Sequence, residues 1–185
     1  MLQKFHNKDL STTSFLITGG AGFIGSHIAD YLVKNGAGKV RVIDDLSNGF
    51  YRNIEHLTSY SCFEFLQGDI RDLKFCEDAC IGIDYLSHQA ALGSIPRSIE
   101  EPGIVNDINV GGFVNILKAA VDTGVKRFVF ASSSSVYGDE LTLPKREDKI
   151  GNCLSPYAVS KRANELYALV FAQVYNIPVI GLRYF

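Results

Sequence analysis

Apolar residues come along this chain in short unbroken runs, separated by longer stretches where they recur every third or fourth position. Runs such as SFLIT, RFVFA and VIGL are continuous rather than alternating, the pattern of strands buried on both faces of a parallel sheet. They predict strands over Ser14–Thr18, Lys39–Asp44, Cys62–Leu66, Asp84–His88, Lys126–Ala131 and Pro178–Phe185. Helical periodicity between them predicts helices over Phe23–Asn35, Leu73–Cys80, Ile104–Thr123 and Pro156–Tyr175. Strands alternating with helices through right-handed crossovers make an α/β fold with a doubly wound parallel sheet. Residues 1–13 read as an N-terminal extension outside that sheet, and residues 14–185 as one domain. Residues 138–155 read as a long loop with Pro144, several charges and Gly151. No internal repeat or low-complexity linker is visible.

Composition narrows the function classes. The chain has 185 residues, 46% hydrophobic and 21% charged, with a net charge of -2, as expected of a soluble globular domain. Without a basic run or basic amphipathic face, a nucleic-acid or membrane partner is not expected. An anionic ligand must then be held by local devices. The opening MLQKFHNKDLSTT is too polar for a signal peptide, and no apolar stretch approaches the roughly 18 residues of a membrane span. Cys62, Cys76, Cys80 and Cys153 fit neither a CxxC motif nor a zinc spacing, so no metal site is expected. Reduced thiols of a cytoplasmic protein are the better reading, with a Cys76–Cys80 disulfide the alternative.

Chemistry starts at TGGAGFIG, residues 18–25, which leaves the first strand and opens the first helix. Gly19 suits a tight turn, Gly22 lets the backbone approach a pyrophosphate, and Gly25 permits close helix–sheet packing. The helix then aims free N–H groups and its positive dipole end at the phosphates. This strand–loop–helix context is what the motif requires, and it makes the sheet Rossmann-type. The next strand ends in DDLSNG, and Asp44 stands 25 residues after Gly19, where an acid accepts hydrogen bonds from the adenosine ribose. A carboxylate there repels a 2′-phosphate, which favours NAD over NADP; a solvated turn is the plainer alternative. In GDIRD, Asp69 is open between meeting an adenine amino group and belonging to the cap of the following helix.

SPYAVSK places Tyr157 and Lys161 at i, i+4 on one helix face. A phenol with a pKa of about 10 is a poor base at neutral pH, and a nearby ammonium, helped by the nicotinamide positive charge, is expected to pull it toward the working range. An ordinary surface helix also shows such pairs, but FVFASSSSVYG supplies serines at the end of a preceding strand, where a hydroxyl can meet a reacting sugar oxygen. Phe128 and Phe130 read as core. His88, at a strand end, reads as a packed or hydrogen-bonded core group rather than a catalytic one. Arg97, in SIPRS, is open between meeting an anion and bracing a loop.

Together TGGAGFIG, DDLSNG, GDIRD, HQAALGSIPRSIEEP, ASSSSVYG and SPYAVSK resemble the extended short-chain dehydrogenase/reductase family, over about residues 15–185. Within it they are similar to the nucleotide-sugar 4-epimerases, and HQAALGSIPRS and LSPYAVSKRANELYA look most like the UDP-N-acetylglucosamine 4-epimerases of bacterial O-antigen and capsule synthesis, including those acting on the uronic acid. That resemblance implies NAD as the cofactor and a UDP-sugar as the substrate. It places Gly19, Gly22, Phe23 and Ile24 at the pyrophosphate, Asp44, Asn48 and Gly49 at the adenosine ribose, and Asp69 and Ile70 at the adenine. Gln89, Ala90 and Ala91 line the cofactor, with Asn109 and Tyr184 nearby. Ser133 is the implied catalytic serine, Tyr157 the base and Lys161 its electrostatic partner, which also holds the cofactor ribose. Ser134 and Ser135 extend the serine surface toward the sugar. Galactose-type epimerases carry a lysine where this chain has Gly93, followed by Ser94, which opens room beside the sugar and agrees with an N-acetylated substrate. The family also implies a homodimer through the Ile104–Thr123 and Pro156–Tyr175 helices.

Rival readings stay in view. The 4,6-dehydratases of the same superfamily place Asp and Glu where this chain has Ser134 and Ser135, and decarboxylating relatives carry a glutamate before VYG that is missing here. A non-catalytic NAD-binding fragment is the alternative of a different class. The last predicted strand ends where a site would be completed, so the chain is expected to be part of a longer protein, lacking a C-terminal substrate domain and unable to epimerise alone.

Overall fold

The computed structural model describes residues 5–185. Six strands, β1 (Ser14–Thr18), β2 (Lys39–Asp44), β3 (Phe63–Gln67), β4 (Tyr85–His88), β5 (Arg127–Ser133) and β6 (Val179–Tyr184), form one sheet in the order β3-β2-β1-β4-β5-β6. Every pairing is parallel. The chain starts at β1, works outward through β2 and β3, then crosses back to β4 on the other side of β1. The loops after β1 and β4 therefore diverge and leave a crevice at the carboxyl ends of the strands, where α/β sheets take ligands.

Side chains alternate across the sheet and feed two cores. Leu16 and Ile43 join Phe113, Ile116, Leu117, Phe128 and Phe130 under α2 (Leu73–Cys80), α5 (Phe113–Asp122) and α6 (Pro156–Val174). Ile17, Val40 and Val42 join Ala29 and Val33 of α1 (Phe23–Lys34) with Ile54 and Leu57 from two short 3-10 turns. Each fully buried side chain of this kind contributes about 1.5–3 kcal/mol. One buried charge in β2 has a structural task. Arg41 donates to the carbonyls of Ala79 and Ile81 at 2.6 and 3.1 Å, closing the end of α2, while its Nε reaches Glu64 at 2.8 Å.

The expected elements are present with ends moved by one or two residues. One helix was not expected, and the helix expected over Ile104–Thr123 is present as three contiguous segments. Ile95–Glu100 forms α3, started by the Ser94 hydroxyl accepting from Arg97 N at 3.2 Å and by Pro96 in the first turn. Pro102–Asn106 forms α4, which runs through a π-helical turn, Asp107–Gly112, into α5. The serine run turns into a 3-10 helix, Ser134–Tyr137. A correction concerns membrane spans: Pro102–Asp122 is 21 residues with mean hydropathy 1.2, long and apolar enough to cross a membrane by length and composition. Its apolarity is explained by packing, since Phe113, Ile116, Leu117, Ala119 and Ala120 are wholly buried against the sheet.

Of the extension, residues 1–4 lie outside the described residues. Residues 5–13 run beside the sheet, where Leu10 O accepts from Thr13 N and Gly38 N, both at 2.9 Å. The four cysteines are free thiols, so the disulfide alternative is not realised.

Candidate active site

The glycine loop is shaped by steric need. Gly19 has φ +64°, and a Cβ there would stand 2.6 Å from Ala90 N. A Cβ on Gly25 would stand 2.3 Å from Gly19 O, so α1 packs directly on the turn. Gly22 is the N-cap of α1 and brings no side chain to it, which leaves the first backbone N–H groups facing the crevice. Gly20 was not singled out by the triplet spacing, yet its Cβ would collide with Val42 at 2.4 Å.

Asp44, at the end of β2, is buried and turned into this loop. Its carboxylate accepts from Ala21 N and Leu46 N, both at 2.9 Å. Burial raises its pKa above the usual carboxylate value despite those bonds. Gly49 faces it closely enough that a Cβ would sit 2.9 Å from both oxygens. Asp69 lines the same cavity, its pKa lowered by the Arg71 guanidinium, which it meets at 2.9 and 2.5 Å. The cap of α2 is Asp72, which accepts from Phe75 N at 3.1 Å, so the cap region expected in the GDIRD stretch is present, while Asp69 accepts from Arg71 N at 2.8 Å.

These groups line two parts of one cleft. One part holds Asp44, Asn48, Gly49, Asp69 and Ile70, with Asp45, Ser47, Leu92 and Ile108 that sequence reasoning missed. The other holds Phe23, Ile24, Gly93, Ser133, Tyr157, Lys161 and Tyr184. Gly19, Gly22, Gln89 and Ala91 line both, so the cleft runs across the glycine loop from an acidic end to a hydroxyl-rich end. Ala90 lines the first part.

At the hydroxyl-rich end, β5 and β6 deliver Ser133 and Tyr184 in register. Tyr157 lies in the first turn of α6, which is fixed by the Ser155 cap on Ala158 N at 3.1 Å. The Ser133 hydroxyl stands by the phenol and favours its anion. Lys161 is 3% exposed, with Nζ donating to Ala131 O at 2.9 Å and lying 5.9 Å from the centre of the Tyr157 ring. Burial lowers its pKa from 10.5 to about 8. Burial raises the Tyr157 pKa, opposed by the Ser133 hydroxyl, and the lysine does not pull it down. The Lys161 ammonium is turned to the Ala131 carbonyl.

Several other expected residues stand elsewhere. Asn109 lies beneath the cleft and does not line it; its amide bonds Leu92 N and O at 2.8 and 3.1 Å and Ser160 Oγ at 3.2 Å. Ser134 and Ser135 form the 3-10 turn behind Ser133 and line neither part, and the Ser135 hydroxyl is buried without a partner. Ser94 caps α3 at the rim. Gly93 is open, and a Cβ there would meet nothing within 4 Å.

His88 is a core group, 1% exposed, with burial holding its pKa down to about 3. Thr18 Oγ1 accepts from Gln89 N and Ala90 N at 3.2 Å and therefore donates its own proton to His88 Nδ1 at 2.8 Å. That chain ties β1 to the start of the β4 loop, a role the motif spacing does not reveal. Also missed was Glu165 on α6, which holds Ser132 Oγ at 2.7 Å and both ends of Arg183 at 2.8 and 2.9 Å.

A switch-point crevice with a glycine turn, an acid at the end of β2 and a Tyr–Lys pair beside a serine defines a dinucleotide-binding domain that also presents acid–base groups. The residues fit NAD on structural grounds. Gly19, Gly22 and Gly25 form a cradle that Cβ atoms would fill, and Gln89 Oε1 points into buried space without a partner where both parts of the cleft meet.

The chain belongs to the NAD dependent epimerase/dehydratase family, whose model matches residues 15–185. It is 40% identical over 171 residues to a putative UDP-glucose 4-epimerase of Methanocaldococcus jannaschii, covering 91% of this chain and 54% of that protein. Among solved structures it is similar to the UDP-N-acetylglucosamine 4-epimerase of Methanobrevibacter ruminantium, with TM-score 0.88, 35% identity and coverage of 94% of this chain and 55% of that one. It is equally similar in fold to the dTDP-glucose 4,6-dehydratase DesIV of Streptomyces venezuelae, solved with NAD, at TM-score 0.88, 34% identity, and 92% and 55% coverage. The chain thus spans about half the length of the relatives it matches.

Proposed function

We propose that the cleft serves 4-epimerisation of a UDP-sugar, with UDP-N-acetylglucosamine or its uronic acid as the substrate, in the making of surface polysaccharide. The observation that carries this reading is the composition of the catalytic end: Ser133, Tyr157 and Lys161 converge there, and among the described residues none that lines it is a carboxylic acid. Elimination of water, as in a dehydratase, needs a further acid and base beside the sugar. Oxidation and re-reduction at one carbon needs, beyond the hydride acceptor that NAD would be, only a hydroxyl proton taken and returned.

NAD, when bound, supplies reversible hydride acceptance, and it is regenerated in every cycle. Tyr157 Oη takes the proton of the sugar 4-hydroxyl and gives it back from the same position. Ser133 Oγ, already beside that phenol, holds the sugar oxygen in line. Lys161 brings a cation whose protonation is easily changed near pH 8. Asp44 favours NAD over NADP, because a 2′-phosphate would meet a buried carboxylate. Gly93 leaves space for an N-acetyl group. Residues 1–185 alone are not expected to turn over substrate, since the relatives are about twice as long.

The test is product analysis of the intact protein with UDP-N-acetylglucosamine, its uronic acid and UDP-glucose in parallel. Interconversion at C4 of one of the first two, abolished by Tyr157→Phe with NAD still bound, is expected. Full activity of Tyr157→Phe, or release of a 4-keto-6-deoxy sugar, would overturn the reading.

A further inference from the structure

A dinucleotide and a nucleotide sugar both bring a diphosphate, yet the cleft is poor in cations. Its lining carboxylates are Asp44, Asp45 and Asp69. Its one buried cation, Lys161, is turned to the Ala131 carbonyl at the catalytic end. Arg71 is consumed by Asp69, which takes three hydrogen bonds from it. The glycine loop offers backbone dipoles but no charge.

Arg97 is the cation left over. It stands on α3 at the rim, beside Ala91, Leu92, Gly93 and Ser94, where the two parts of the cleft adjoin. Among the described residues it forms no ion pair. Its single side-chain hydrogen bond runs from Nη1 to Asn48 Oδ1 at 3.5 Å, on the opposite bank of the cleft. A bond that long between exposed side chains holds the guanidinium weakly, so its remaining N–H groups are free to turn inward. The backbone beneath it is fixed, because Ser94 caps α3 on Arg97 N and Asn109 pins Leu92 on both sides.

We propose that Arg97 binds a diphosphate lying in the cleft, releasing its weak bond to Asn48 to do so. This rests on the cleft being the dinucleotide and nucleotide-sugar site. It gives Arg97 the anion role rather than the loop-bracing one, because a brace needs a better bond than the one it makes. A guanidinium matches two phosphate oxygens at once, and a lysine at this position keeps only the charge.

The test uses the intact protein with Arg97→Gln and Arg97→Lys. NADH release is followed by fluorescence, and UDP binding to the NAD-loaded protein by calorimetry, each at about 50 and about 300 mM salt. Arg97→Gln should weaken one of the two ligands roughly tenfold, with Arg97→Lys recovering part and high salt narrowing the gap. Weakened NADH identifies the cofactor diphosphate, and weakened UDP the substrate diphosphate. Both ligands unchanged within about twofold would overturn the proposal. So would a loss that Arg97→Lys does not recover, independent of salt and accompanied by a lower melting temperature without ligand, which marks a structural brace. Wild-type protein that binds neither ligand would remove the reading of the cleft itself.

Discussion

Replacing Lys161 by methionine should make the ligand-free protein more stable at neutral pH while destroying its function. Lys161 is almost wholly buried, and burial brings its pKa from 10.5 to about 8. That drop is equivalent to about 3 kcal/mol of unfavourable charge burial. The hydrogen bond to Ala131 O returns about 1 kcal/mol. Methionine keeps the apolar stem and loses the charge, so the variant should gain about 2 kcal/mol at pH 7. The sign follows from proton counting. Below about pH 8 the amine is charged in both folded and unfolded chains, and the full penalty is present. Between about 8 and 10.5 the unfolded chain holds a proton that the folded one has lost, so wild-type stability rises with pH while the variant lacks that rise. Urea unfolding of both proteins at pH 7 and pH 10, followed by circular dichroism, reads the difference, and other titrating groups cancel between them. A stability gap that is the same at both pH values would refute the reasoning.

Gly25→Ala should lower stability by about 2 kcal/mol or more and abolish NADH binding, read by melting and fluorescence titration, because its Cβ meets rigid backbone at 2.3 and 2.7 Å. Asp44→Ala should weaken NAD retention and narrow the preference over NADP, and should also loosen the loop through loss of the Ala21 and Leu46 bonds; an unchanged preference would place the acidic contact elsewhere. Glu165→Gln should cost about 2–4 kcal/mol at pH 7 by leaving the enclosed Arg183 guanidinium without its charge partner. Burial opposes the Glu165 charge, but Arg183 and its other partners hold the pKa below 4.5, so this gap should close as pH falls through the carboxylate range, checked by unfolding at pH 7 and pH 3. In the native protein at pH 8 a thiol reagent should modify Cys62 and Cys153 only, since burial pushes the Cys76 and Cys80 thiols up to about 12.

The sheet was readable because strands buried on both faces must be apolar throughout, and nothing else in the chain produces such runs. Their ends were less so. β5 continues to Ser133 because it pairs with Tyr184 of β6, and polar serines give no apolar signal for that extension. α3 has six residues, too few for a periodicity, although Ser94 and Pro96 mark its start. The π-helical turn at Asp107–Gly112 was invisible, since one widened turn hardly changes which positions are apolar. It matters for the site because Asn109 lies within it and grips Leu92 on both sides.

Spacing reveals which residues share a place, because loops from neighbouring parallel strands must emerge at one end of the sheet. Gly19, Asp44, Ser133, Tyr157 and Lys161 meet in one cleft for that reason. Spacing does not reveal the charge state those residues keep there. The i, i+4 pair suggested a lysine pulling a phenol down, but the same burial that brings the two together disfavours both charged forms. It moves the lysine down to about 8 and the phenol up. The two values are thus driven apart, with the amine now giving up its proton more readily than the phenol, which disfavours a phenolate–ammonium pair in the protein by itself. The protein holds the geometry of a base, and the acid–base poise belongs to the loaded cleft. A fold can therefore be legible from apolar pattern alone while its reactivity is decided by the dielectric that the pattern creates.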